Sequence, residues 1–136
     1  MSATPQLYAS LSVALGGGIG ALARYQLGRF MTRWLGAPII DFFPFATLAA
    51  NTIGSVFMGL LAGWLVRSMP GNADQFRLLL GVGLLGGFTT FSAFSLELVV
   101  LIQRGQIGMA AIYLMLSVGL GVTGLLFGLT VTRLFS

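Results

Sequence analysis

Long apolar stretches separated by short polar connections dominate the sequence. Four of them exceed the roughly 20 residues needed to cross the hydrocarbon core of a bilayer, and they cover residues 7–33, 45–66, 76–102 and 107–134. Asp41 and Asp74 fall in the first two connections, and Pro70, Gly71 and Asn72 give the second a strong turn signal. The pattern predicts an all-α integral membrane protein with one transmembrane domain, residues 1–136, and four membrane-spanning helices.

The third apolar stretch carries a polar interruption near its middle. Gly86 and Gly87, followed by Thr89 and Thr90, are poor at continuing a helix. Irregular backbone at membrane depth is tolerated only where it is buried in protein or lines a cavity. In transporters, such breaks free backbone groups that bind ions. The sequence therefore predicts a third helix broken near its middle, beside an ion pathway.

Composition limits the chemistry that the chain can perform. Of 136 residues, 57% are hydrophobic and 7% are charged, against about 25% charged in soluble domains. Cysteine and histidine are absent, which removes thiol chemistry, zinc and haem ligation and the usual general base. We therefore expect no enzymatic activity. The net charge of +4 comes from scattered arginines near span ends, which indicates contact with membrane lipid and not with nucleic acid.

The arginines are almost evenly divided between the two membrane faces. Four spans put both termini on one side, which would hold Arg67, Arg77 and Arg133. The other side would hold Arg29, Arg33, Arg104 and, if its side chain snorkels there, Arg24. Arginine and lysine bias sets orientation in the membrane. Two interpretations stay open: insertion in both orientations with antiparallel self-pairing, or one orientation set by a single residue.

Several polar or aromatic side chains lie inside the spans. Arg24 either lines a water-filled vestibule or snorkels to the interface. Asn51 either lines a pore or forms an interhelical hydrogen bond. Phe91 and Phe94 are three residues apart, so they share a helix face. Their ring edges carry partial positive charge and could contact a small anion, although core packing is the simpler role of a phenylalanine.

Hydroxyl groups cluster near the same depth on two spans. Taken singly, each hydroxyl is accounted for by a bond to a carbonyl one turn earlier. As a set with one carboxylate, they suggest a narrow polar track whose neutral donors favour an anion over a cation. The residues of this set are Ser92, Ser95 and Glu97 on the third span and Tyr113, Ser117 and Thr123 on the fourth.

Three segments together resemble the Fluc (CrcB-type) family of fluoride channels, which are small four-span prokaryotic proteins. They are Gly-Gly-Gly-Ile-Gly-Ala-Leu-Ala-Arg-Tyr at 16–25, Thr-Leu-Ala-Ala-Asn at 47–51 with Gly54, and Gly-Gly-Phe-Thr-Thr-Phe-Ser-Ala-Phe-Ser at 86–95 with Glu97. Two positions depart from the family's common pattern. Ala93 replaces a frequent threonine, which removes one hydroxyl from the polar track, and Ala46 replaces a glycine.

The resemblance implies an antiparallel homodimer with two pores, each lined by both subunits, that passively exports fluoride across the prokaryotic plasma (inner) membrane. It implies an aromatic box of Phe91 and Phe94 beside Asn51, with Arg24 in the vestibule. It also implies a structural sodium ion at the dimer interface, held by backbone carbonyls of Gly86 and Thr89. The polar track would comprise Ser92, Ser95, Glu97, Tyr113, Ser117 and Thr123.

Two other classes of membrane protein remain as alternatives. A small multidrug-type exporter also has four spans and couples proton entry to efflux through a membrane carboxylate. Such exporters carry that glutamate in the first span, whereas Glu97 lies in the third. A non-transporting assembly subunit, held together by glycine packing, would leave the interrupted helix and the phenylalanine pair unexplained.

Overall fold

The computed structural model describes residues 3–68 and 71–135, which are helical apart from short connections. Four helical stretches are long and apolar enough to cross a membrane: Thr4–Leu35, Phe45–Ser68, Ala73–Gln103 and Ile107–Leu134. The prediction of an all-α protein with four membrane helices is confirmed. In chain order the helices are α1 (Ala3–Leu35), α2 (Ala37–Phe42), α3 (Phe45–Ser68), α4 (Ala73–Phe76), α5 (Gly86–Phe88), α6 (Phe91–Gln103) and α7 (Ile107–Leu134), and Arg77–Leu85 between α4 and α5 forms a π-helical segment.

The first two connections are more ordered than their sequence suggests. Gly36 ends α1 with a φ of 87°, and Pro38 lies in the first turn of α2, a position that proline tolerates because helix-start amides have no helical partner. Asp41 therefore lies in a short helix, and Asp74 lies in the first turn of α4. The connections that carry these two aspartates would be expected to be loops, and that expectation is wrong because both aspartates are helical. Pro70 of the predicted turn lies outside the described residues.

The third membrane stretch changes its winding along its length. Residues 77–85 are wound as a π-helix, in which the Gly86 N–H donates to the Gly81 carbonyl five residues earlier. Helical backbone ends at Phe88, Thr89 and Thr90 are extended, and α6 begins at Phe91. The π winding was not predicted, since nothing in the local composition separates it from an α-helix.

Glycines set two close helix crossings. At Gly16 and Gly20 on α1, a methyl group would overlap carbonyl oxygens of the π-helical segment. Between α3 and α7, Gly59 and Gly128 make the same kind of backbone approach. Small residues allow such contact where lipid gives helices no hydrophobic reason to associate. The buried cluster of Phe43, Phe94, Leu101, Ala110 and Tyr113 lies between α6, α7 and the start of α3.

Candidate functional site

The amide of Asn51 holds the extended residues between α5 and α6. Its Nδ2 donates to the Thr90 carbonyl oxygen at 3.1 Å, and its Oδ1 accepts from the Thr90 N–H at 2.8 Å. One turn along α3, any β-carbon at Gly54 would overlap the Thr89 methyl group. Because asparagine offers both a donor and an acceptor, one side chain pairs the Thr90 N–H that the interrupted helix leaves free and also donates to the Thr90 carbonyl.

Two threonine hydroxyls complete the helix ends at this point. Thr89 Oγ1 donates to the Leu85 carbonyl at 2.9 Å, and Thr90 Oγ1 accepts from the Ala93 N–H at 3.1 Å. In a continuous α-helix, the N–H groups of Thr90 and Ala93 would bond to the carbonyls of Gly86 and Thr89. Here side chains take those two donors, so both carbonyls lose their helical partners.

A small cleft lies beside the anchored backbone. Its volume is about 270 Å³, and it is lined by Asn51, Thr89, Thr90, Phe91, Phe94, Ser117 and Val118. The structure thus brings together four residues of the predicted fluoride path, Asn51, Phe91, Phe94 and Ser117, although they come from three helices. The Ser117 Oγ is buried and has no hydrogen-bond partner within the described chain. An unpaired buried hydroxyl is costly, so this cleft offers a donor to a ligand.

The two phenylalanines of this cleft differ in environment. Their ring centroids are 5.8 Å apart, with planes tilted by 48°. Phe91 is 80% exposed, whereas Phe94 is 8% exposed and packs on the Tyr113 ring at 5.2 Å. The spacing correctly predicts that the rings are neighbours, but it does not distinguish the ring fixed in the core from the ring on the surface.

Glu97 is the centre of a second polar cluster. Thr47 Oγ1 donates to Glu97 Oε1 at 2.7 Å, and the Tyr113 hydroxyl donates to Oε2 at 2.6 Å. Tyr113 is fully buried and its ring also packs edge-on against Phe43. The sequence predicts Glu97 and Tyr113 but not Thr47 as a site residue. The available signal was its spacing, four residues before Asn51, which places both side chains on one face of α3.

A larger cleft leads from the surface to this cluster. It has a volume of about 510 Å³, and its wall includes Arg24, Arg29, Arg33, Thr47 and Glu97. The Nε of Arg24 is buried without a partner in the described chain. Three cationic side chains at one opening raise the local concentration of anions. Arg24 therefore lines this cleft together with Arg29 and Arg33, and its role in a vestibule stays a prediction.

Three predicted hydroxyls are not brought into these clefts. Ser95 Oγ donates to the Phe91 carbonyl at 2.9 Å, and Thr123 Oγ1 donates to the Gly119 carbonyl at 2.6 Å. Ser92 is exposed, with its Oγ 3.4 Å from that of Thr90. Six residues separate Thr123 from Ser117, which is about one and two-thirds turns, so the two side chains leave α7 in different directions.

Comparison with known proteins gives a consistent result. The sequence of residues 11–129 matches the family described as CrcB-like protein, Camphor Resistance (CrcB). A protein of Erythrobacter litoralis named fluoride-specific ion channel FluC is 61% identical over 136 residues, the full length of both chains. Proteins of the same name from Novosphingobium aromaticivorans and Phenylobacterium zucineum are 55% and 48% identical, over 92% and 93% of this chain and 96% and 97% of their own lengths.

These matches extend over nearly the whole chain, including all four membrane helices and both clefts. The quoted segments 16–25, 47–54 and 86–97 lie within the matched region, so the resemblance to this family is confirmed. The chain belongs to the CrcB-like family and is a multi-pass protein of a bacterial plasma membrane.

Proposed function

We propose that this protein is a fluoride-selective ion channel that passively exports fluoride from the cell. The observation that carries the proposal is the cleft beside Asn51, where the unpaired Ser117 hydroxyl and the phenylalanine rings meet at an interruption of the third membrane helix. The relatives are named fluoride-specific ion channels, which supports transport and points away from enzymatic activity.

The chemistry of the two clefts suits a small, strongly hydrated anion. A pore must replace the ion's water shell with donors placed along a narrow path. The arginine-lined cleft concentrates anions, and Thr47 and Glu97 lie in its wall. The Thr47 and Tyr113 hydroxyls both donate to Glu97. An arriving fluoride would compete with the Glu97 carboxylate for those two hydrogens. The Ser117 hydroxyl and the Phe91 and Phe94 ring edges would then receive it.

We also propose that two copies pair antiparallel, giving two pores that are each lined by both subunits. The nearly even division of arginines between the membrane faces supports insertion in both orientations. The exposed ring of Phe91 and the open side of the cleft support a second copy as the missing wall. Within the third membrane helix, the break at Thr89 and Thr90 would then face the partner.

A structural sodium ion at the dimer interface fits the residues at this break. The carbonyls of Gly86 and Thr89 have lost their helical donors to Asn51 and to the Thr90 hydroxyl, and hard carbonyl oxygens suit such a cation. Among the described residues no cluster of acidic side chains offers a competing site. The bound ion would supply positive charge that compensates carbonyl dipoles brought together by two copies.

The proton-coupled exporter is not favoured by the geometry. Its chemistry requires a carboxylate in the first membrane helix that binds cationic substrate and protons in turn. The acidic residue of this chain within the membrane is on α6, where it accepts hydrogen bonds from Thr47 and Tyr113. The arginine side chains that share its cleft would repel a cationic substrate.

The proposal is tested by ion release from liposomes that contain the purified protein. Liposomes are loaded with potassium fluoride or with potassium chloride, valinomycin is added to carry the potassium, and ion-selective electrodes record efflux. We expect rapid fluoride release and chloride release no faster than from protein-free liposomes. Absence of fluoride release from folded protein, or equal release of both halides, would overturn the proposal.

A further inference from the structure

The hydroxyls on the membrane helices divide into two groups by their hydrogen bonds. Thr123 and Thr130 donate to carbonyls one turn earlier on α7, which is the usual way to satisfy a hydroxyl inside a helix. The Oγ of Ser117 and the Oγ1 of Thr52 are buried without a partner in the described chain. Ser55 also makes no hydrogen bond among the described residues. The second group is therefore available to a ligand.

The register of α3 against α7 places Ser55 one turn beyond the cleft. Asn51 on α3 and Ser117 on α7 line the same cleft. The next residues on these two faces, four positions further along each helix, are Ser55 and Gly121. A β-carbon at Gly121 would lie 3.7 Å from Ser55 Oγ. The two helices thus advance together by one turn, about 6 Å, and α3 carries a hydroxyl where α7 has none.

Beyond this level the seam between α3 and α7 closes. A β-carbon at Gly59 would overlap the Leu125 carbonyl, and one at Gly128 would overlap the Val56 carbonyl. Ser55 and Gly121 are both only half-buried, so they lie at the rim of the seam, next to the cleft. A β-carbon at Gly121 would meet only Ser55 Oγ, so the position is not filled by packing.

We infer that Ser55 supplies the next hydroxyl of the anion path after Ser117, in place of the missing side chain at Gly121. This inference rests on the proposed fluoride channel and adds a residue to it. It also assigns no conducting role to Thr123, whose hydroxyl is exposed and already donates within its own helix. The path therefore crosses from α7 to α3 between Ser117 and Ser55.

The test compares fluoride efflux from liposomes for the wild type, Ser55→Ala, Gly121→Ser and the double variant. Loss of one hydrogen bond to an anion should lower the flux of Ser55→Ala by roughly tenfold. Gly121→Ser fits because a β-carbon there makes only ordinary contact. It returns a hydroxyl to the same level, so the double variant should recover most of the flux. Ser10→Ala, at an exposed position on α1, should behave like the wild type.

The outcomes separate this inference from the proposed function. If the wild type releases no fluoride, the proposed channel function is wrong, and the inference about Ser55 fails with it. A conducting wild type with an equally fast Ser55→Ala, or a folded double variant as slow as Ser55→Ala, overturns the role of Ser55 alone. Ser55→Cys keeps the side-chain volume with a weaker donor. It should also slow the flux, which provides the test if the alanine variant fails to fold.

Discussion

At the scale of single residues, Asn51 both anchors the backbone at Thr90 and lines the smaller cleft. The structure gives its amide two partners on one residue, the N–H and the carbonyl of Thr90. The planar asparagine amide offers one donor and one acceptor in the same plane. Its position in the wall of the smaller cleft means that the same side chain fixes the interrupted helix and borders the proposed ion path.

Asn51→Asp tests this double role. The carboxylate keeps an acceptor for the Thr90 N–H but places its second oxygen against the Thr90 carbonyl, which accepts and cannot donate. We expect the free energy of unfolding to fall by about 1–3 kcal/mol and fluoride flux to fall by at least about tenfold. Thermal unfolding in detergent and liposome efflux measure the two effects. Asn72→Asp, in an exposed turn without a side-chain cap, is the matched control; equal behaviour of both variants would contradict the role of Asn51.

At the scale of helices, sequence and structure agree best where hydrophobic length decides. The four membrane helices follow from apolar length alone, and their ends differ from the predicted ones by a few residues. The helix α2 and the π winding of residues 77–85 were missed. Six residues after a glycine give little periodic signal. The π winding occurs where α1 approaches closely, a tertiary contact that local sequence does not reveal.

The crossing of α1 over the π-helical segment depends on glycine at defined positions. A methyl group at Gly20 would overlap the Leu84 carbonyl, whereas at Gly18 nothing lies within 4 Å. Gly20→Ala should therefore lower the free energy of unfolding by about 3 kcal/mol. Gly18→Ala should not lower the free energy of unfolding, since it introduces the same helix former at a position where nothing lies within 4 Å. Thermal unfolding of both in detergent checks this, and equal melting temperatures would show that the crossing relaxes at little cost.

At the scale of the whole molecule, the site joins residues that are distant in sequence. The sequence identifies Asn51, Phe91, Phe94, Glu97 and Tyr113 as candidates, but not their pairing. Asn51 and Thr90 are 39 positions apart, and Thr47 meets Glu97 across 50. Such contacts are fixed by how α3 packs on α6 and α7. Thr123 and Ser117 are both on α7, but their side chains do not lie side by side, because helical rotation over six positions points them in different directions.

Taken as a whole, the proposed channel is a passive path that discriminates between anions by their size and hydration. In the proposed channel, arginines would collect anions at one opening, neutral hydroxyls and ring edges would receive them, and no step would use a second substrate. Such a path carries current whose direction depends only on the fluoride gradient and the voltage. A proton-coupled exporter would instead respond to a pH gradient.

The most direct test of this account is the reversal potential of the purified protein in a planar bilayer. With unequal fluoride on the two sides, a passive fluoride-selective channel should give a reversal potential that follows the Nernst potential of fluoride. That potential should not shift when a chloride gradient or a pH gradient is imposed at constant fluoride. A reversal potential that ignores fluoride, or that moves with chloride or pH, would contradict a passive fluoride-selective channel.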